Sequence, residues 1–250
     1  MSPSNFGIAP PGASGEIDRS LAFDDALDQQ AAVSSALLAV FRGRFCDLIL
    51  PNRKVTTFAK HQVIYEVGDG ERRFFFLQRG FVKVGAISAA GHEVIYDVRK
   101  SGDVVGELCA SEKLRPDRAV ALEETQAIAV PYEEIMKLVL VKPELVTALV
   151  DVLCSALKEA YRQVNTLAVD DTIHRLINVL IGLAAKLGGR ASALVEIPMY
   201  LTQEEIAQMV GARRERVSTA LNALRRRGMV QYSTRGHLVL DVRALEAHAA

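Results

Sequence analysis

Six arginines lie between positions 213 and 227 (Arg213, Arg214, Arg216, Arg225, Arg226 and Arg227), against one acid, Glu215. Read as a helix, the stretch turns Val217, Ala220, Leu221 and Leu224 to one side. Arg214, Glu215, Ser218 and Thr219 fall on the other, near the N-terminal end that Arg213 opens. Such a face suits the edges of base pairs. An arginine donates two hydrogen bonds to guanine O6 and N7, a glutamate accepts from the cytosine amino group, and a hydroxyl serves either role. Arg225, Arg226 and Arg227 at the far end are placed for phosphates, which set affinity and salt dependence rather than sequence preference.

An arginine-rich helix alone is more often a solvated face, so its neighbours decide the reading. Immediately upstream, Leu201-Thr-Gln-Glu-Glu-Ile-Ala opens with a capping box, in which Thr202 caps a helix and Glu205 reaches back to it. Ile206, Met209 and Val210 give that helix an apolar face, and Gly211 stands where the tight turn between two helices needs a positive φ. Thr202 is a further candidate phosphate contact. Downstream, Gly228-Met-Val-Gln-Tyr, a Ser-Thr-Arg-Gly turn and His237-Leu-Val-Leu predict a β-hairpin wing. Helix, glycine turn, helix and wing together predict a winged helix-turn-helix that puts its second helix in the major groove of duplex DNA.

The preceding chain has a different texture. Between Arg53 and Tyr132, short β-branched and aromatic runs (residues 62–65, 74–77, 81–87 and 93–98) alternate with Gly68, Gly70, Gly80, Gly91 and Gly102. Turn signals about every ten residues predict a compact antiparallel β-sandwich or roll. A helical pattern follows. Val146, Leu149, Leu153, Ala156, Ala160, Gln163 and Leu167 form a heptad seam with one polar interruption, as in a two-stranded coiled coil. The alternative is a helix packed on its own β-domain, but the seam runs over three heptads while Leu157 and Val164 leave a second apolar edge for the β-roll, which favours dimerisation. The expected class is α+β: a flexible leader (1–30), a β-roll (31–142, with a short helical pattern near 31–50), a dimerisation helix (143–169) and the winged helix-turn-helix (170–250).

Bulk properties restrict the function classes. The chain has 250 residues, half of them hydrophobic, and 30 basic residues balance 30 acidic ones, so a nucleic-acid reading rests on local charge alone. Cys46, Cys109 and Cys154 are too scattered for a disulfide framework or a CxxC metal site, which fits a reducing cytoplasm. The Pro/Gly/Ser-rich start lacks the pattern of a signal peptide. The longest nearly apolar stretch, Leu176 to Leu187, falls short of the roughly 18–20 residues that cross a bilayer.

The order β-roll, long helix, winged helix-turn-helix resembles the Crp/Fnr family of regulators over residues 40–245. Two motifs carry the resemblance: residues 201–218, similar to the family's DNA-binding signature, and Gly106-Glu107-Leu108 followed by Arg115-Pro-Asp-Arg118-Ala119-Val, similar to the phosphate-binding cassette of cyclic-nucleotide-binding domains. The resemblance implies base reading by Arg214, Glu215 and Thr219, with Thr219 replacing an arginine of the cyclic-AMP-responsive prototype. It further implies a buried cyclic phosphate clamped by Arg118 and by backbone N–H groups after Gly106, with Glu107 on the ribose 2′-hydroxyl. Ala119 stands where the prototype has serine, and Ala160 and Tyr161 stand at its adenine-contacting pair, so that Tyr161 either stacks on a base or fills the pocket.

The expected effector is therefore cyclic AMP, with self, a palindromic duplex operator and RNA polymerase as partners, and with reorientation of a hinge near Asp170–Asp171 as the gate. Oxygen sensing through an iron–sulfur cluster is not expected, since the first 45 residues contain no cysteine, and His61 and His92 are too few to argue for haem. A constitutive or differently liganded regulator is the alternative. A cupin-like metalloenzyme is a remote third, short of ligands with five histidines in all.

Overall fold

The structure is a computed structural model. It describes residues 53–249 apart from 89–90, 111–112, 188–193, 199–200 and most of 142–170, where only 146, 157, 160, 161 and 163–168 are included. The leader, the pattern near 31–50 and the seam positions Leu149, Leu153 and Ala156 lie outside the described residues.

Among the described residues, eight strands build the first unit: β1 (Val55–Phe58), β2 (Val63–Tyr65), β3 (Arg73–Arg79), β4 (Phe81–Ile87), β5 (Glu93–Lys100), β6 (Val104–Val105), β7 (Arg118–Ala121) and β8 (Thr125–Pro131). They form two four-stranded antiparallel sheets, ordered β1-β8-β3-β6 and β2-β7-β4-β5. Their facing sides bury Phe58, Tyr65, Phe75, Leu77, Val82, Val105, Ala119, Ala121 and Ala127. On the outside of the first sheet, Phe74, Phe76, Ile128 and Val130 pack with Ile135 of helix α1 (Tyr132–Val141). The expected glycine punctuation is present, since Gly68, Gly80, Gly91 and Gly102 all have positive φ.

The second unit contains α2 (Thr172–Leu187), β9 (Leu194–Glu196), α3 (Gln203–Val210), α4 (Arg214–Arg226), β10 (Val230–Tyr232), β11 (Leu238–Asp241) and α5 (Val242–Ala249). Asp171 Oδ1 accepts from the backbone N–H of Ile173 and His174, opening α2. At α3, Thr202 accepts from Glu205 N at 3.1 Å while the Glu205 carboxylate accepts from Thr202 N at 2.9 Å, so both halves of the capping box are made. Gly211 ends α3 in the left-handed region, at φ 64°. Val217, Ala220, Leu221 and Leu224 of α4 are all buried, at 0–4% exposure. The wing pairs β10 with β11, and β9 adds a third strand.

The two units share an interior. Val98 of β5 and Leu122, with Phe81 at the margin, belong to the same apolar cluster as Ile206, Val210 and Leu221. Helix α3 packs against β5, the last strand of its sheet among the described residues. Leu157 and Val164 do not pack on the roll as expected of a second apolar edge. They stand 50% and 60% exposed.

One close approach fixes the β4–β5 register. A β-bulge falls between Val84 and Gly85, and a Cβ at Gly85 would lie 2.1 Å from the Val94 carbonyl oxygen. Gly85→Ala is expected to destabilise the protein by roughly 1–3 kcal/mol through forced backbone displacement. An unchanged urea midpoint would contradict the assignment.

Candidate effector site and nucleic-acid interface

The cassette residues converge at the end of the roll where β6 gives way to a 3₁₀ turn, Glu107–Ala110. Gly106 has φ 89°, and a Cβ there would lie 2.7 Å from the Arg73 carbonyl oxygen, so only glycine fits. Arg115, 2% exposed, secures this turn by donating to the carbonyls of Gly106 (3.3 Å) and Arg73 (2.7 Å). Its guanidinium lies over the Tyr65 ring at 4.0 Å, and the Tyr65 hydroxyl donates to Asp117 at 2.8 Å. Burial pushes the Asp117 carboxyl above the usual carboxylate range despite that hydrogen bond, with the Glu107 charge adding to the effect. Burial, followed by Asp117, likewise raises the Tyr65 hydroxyl. Asp117 Oδ1 and Arg115 Nε have no hydrogen-bond partner among the described residues.

The two charged cassette residues are not brought together. Arg118 pairs with Glu66 (3.1 Å) and Glu93 (3.3 Å), on the side of the sheet where Lys83 also pairs with Glu93 (3.1 Å). Glu107 instead pairs with Arg99 at 3.2 Å. Ala119 is fully buried between the sheets, Leu108 is 43% exposed, and Tyr161 lies on a helical stretch at 62% exposure, so in the single chain its ring does not fill the roll. The Arg118 side chain thus already holds two carboxylates.

Sequence reasoning did not single out Lys83, Glu93, Asp97 or Arg99. Asp97 pairs with Arg99 (2.9 Å) and with Lys186 of α2 (2.6 Å). Burial opposes its charge, but Lys186 and Arg99 outweigh that and hold its carboxyl below the usual range. Burial equally opposes the Arg99 charge, and Asp97 and Glu107 prevail and raise it. The only advance signal for this group was the acid–base alternation Asp97-Val98-Arg99 within a strand pattern.

At the other end of the molecule, residues 213–216 are exposed, Ser218 is half-buried and Thr219 exposed. Thr219 Oγ1 donates to the Glu215 carbonyl at 2.9 Å. The arginines at the end of α4 have local partners: Arg225 lies 5.2 Å from the Tyr232 ring and Arg227 lies 2.8 Å from His248. Among the described residues no three His, Cys, Asp or Glu side chains gather as a metal site requires, and no helix is long and apolar enough to cross a membrane.

A double-sheeted roll joined to a winged helix-turn-helix defines a DNA-binding transcriptional regulator with a sensory domain. Residues 55–141 match the cyclic nucleotide-binding domain and residues 174–248 the Crp-like helix-turn-helix domain. The chain belongs to the Crp/Fnr family. It is 29% identical to the global nitrogen regulator of Synechocystis sp. over 82% of this chain and 91% of that one. It is 27% identical to the CRP-like cAMP-activated global transcriptional regulator of Mycobacterium tuberculosis, over 77% and 86%. Among solved structures it resembles a CRP/FNR-family transcriptional regulator from Thermus thermophilus (25% identity, TM-score 0.62, 78% of this chain and 98% of that one). It shares its fold with FixK2 from Bradyrhizobium japonicum (20% identity, TM-score 0.70, 79% and 98%).

Because the Asp97 carboxyl is lowered in the folded state, its pairing contributes stability that is complete above the ordinary carboxylate pKa of about 3.9 and is lost as pH falls through the lower folded value. Asp97→Asn is expected to be less stable than the parent at pH 7, with the difference shrinking on acidification below about pH 4. Urea titrations at both pH values check this, and a difference independent of pH would contradict it.

Proposed function

We propose that this regulator acts as a cytoplasmic homodimer on a palindromic DNA operator, with RNA polymerase as a further partner, gated by a small effector in the β-roll, of which cyclic AMP is the first candidate. One observation carries the DNA-reading half. The made capping box and the left-handed Gly211 fix α3 against α4, leaving Arg213, Arg214 and Glu215 exposed at the N-terminal end of α4. Arg214 and Glu215 are the base readers, Arg213, Ser218 and Thr219 flank them, and Thr202 lies toward phosphate. Self-association is supported by the exposed apolar side chains of Leu157, Tyr161, Val164 and Leu167, each 50–62% accessible along one helical stretch.

Cyclic AMP is supported by the cyclic nucleotide-binding match and by the Mycobacterium tuberculosis relative, which is described as cAMP-activated. Gly106, Glu107, Leu108 and the Ala119 backbone would hold the ribose and phosphate, Arg118 would supply the charge once it leaves Glu66 and Glu93, and Tyr161 would offer a base contact. The second reading is a regulator that needs no cyclic nucleotide. It is favoured by the carboxylates already paired with Arg118.

Arg214→Ala is expected to reduce discrimination between operator and random DNA by roughly 1–3 kcal/mol, read from competition binding at fixed salt. Equal discrimination in variant and parent would remove Arg214 from the base readers. Calorimetric titration with cyclic AMP, with cyclic GMP alongside, is expected to give one saturable site per subunit that Arg118→Ala abolishes. Flat heats for both nucleotides would select the second reading and leave DNA binding intact.

A further inference from the structure

Arg118 and Glu107 of the cassette each lead, through three successive pairings, to the DNA-binding unit. Arg118 pairs with Glu93, Glu93 with Lys83, and Lys83 lies 4.0 Å from Glu205 of α3. Glu107 pairs with Arg99, Arg99 with Asp97, and Asp97 with Lys186 of α2. The first path is the drier, with side-chain exposures of 16% for Arg118, 18% for Glu93, 12% for Lys83 and 9% for Glu205. Its last member has two duties. One Glu205 oxygen accepts from the backbone and hydroxyl of Thr202 to cap α3, while the other faces Lys83 across the junction.

We infer that these two ion-pair paths form a latch that holds α3 and α2 against β5, and that occupation of the cassette releases it. The inference rests on the effector-site reading given above. Arg118 cannot clamp an anion between the sheets and also neutralise Glu93 on the outer side. Once Arg118 is withdrawn, Glu93 depends on Lys83 alone, and Lys83, already 3.1 Å from Glu93 and 4.0 Å from Glu205, is drawn toward the roll. Glu205 then loses its partner across the junction and keeps its cap. A ligand hydroxyl that engages Glu107 acts in the same sense on the second path, because Arg99 then bears on Asp97 alone and competes with Lys186. Such coupling is reciprocal: whatever loosens α3 from β5 favours the effector-competent Arg118.

The test needs neither effector nor DNA. Hydrogen exchange is followed along the full chain for the parent, Arg118→Gln, Lys83→Met and the double variant, with Glu93→Gln as a variant that removes the acid competing with Glu205 for Lys83. Arg118→Gln is expected to speed exchange within residues 203–210 by roughly fivefold while leaving residues 74–77 unchanged, and the double variant is expected to exchange there no faster than Lys83→Met alone. Glu93→Gln frees Lys83 for Glu205 and is expected to leave exchange within residues 203–210 at or below the parental rate, and faster exchange there would count against the latch. Parental exchange at residues 203–210 in Arg118→Gln, or effects that simply add in the double variant, would overturn the latch. Either result leaves the DNA-reading assignment to be decided by Arg214→Ala, which acts on a different face.

Discussion

Strand β5 has to satisfy two interiors at once, and the rest of the molecule is arranged around that demand. Its Val98 belongs to the helix-turn-helix core, while the strand as a whole pairs with β4 to complete one sheet of the roll. A regular strand alternates faces with a period of two, and β5 departs from that alternation once along its length. The bulge opposite Gly85 supplies the break, and glycine is needed there because the Val94 carbonyl occupies the space of a side chain. The DNA-binding unit is thus seated on the sensory unit through buried apolar surface rather than tethered to it through a linker alone.

That seat is apolar at its centre and ionic at its margins. Val98, Leu122 and Phe81 provide the burial. Lys83, Glu93, Glu205, Asp97, Arg99 and Lys186 lie around it, each within ion-pair distance of an opposite charge. Partly buried ion pairs recover little net stability, because desolvation offsets most of their attraction, yet removing one member leaves the next unpaired at considerable cost. A border of this kind contributes modestly to holding the units together and strongly to determining which arrangement of charges is allowed.

The parts legible in the sequence were those governed by local rules. Thr202 with Glu205, Gly211, and the spacing of Val217, Ala220, Leu221 and Leu224 depend only on residues within a turn or two of each other, and they read as helix, turn and helix without tertiary information. Glycine spacing served the roll equally well. Arg118 shows where such reading ends. Its place in the cassette motif is a matter of sequence, but the direction of its side chain depends on Glu66 and Glu93, which are brought to it by strand pairing. Arg99 and Asp97 were missed for the same reason, since strand texture does not reveal which charge will meet another across a junction. Helix α5 escaped because only Leu245 of its eight residues is buried, too little for an apolar period to register.

The pairing that joins β1 to β8 sets Val55 opposite Ile128, so closing the roll brings together segments far apart in the chain. The contacts of α3 with α4 and of β10 with β11, by contrast, join neighbours. Local contacts form quickly and distant ones slowly, so the C-terminal helices are expected to assemble before the roll is complete. Their interior nevertheless includes Val98 and Leu122, which arrive only with the roll. Until then the early-forming unit has an apolar opening on one side, and the last event of folding is the roll closing over it.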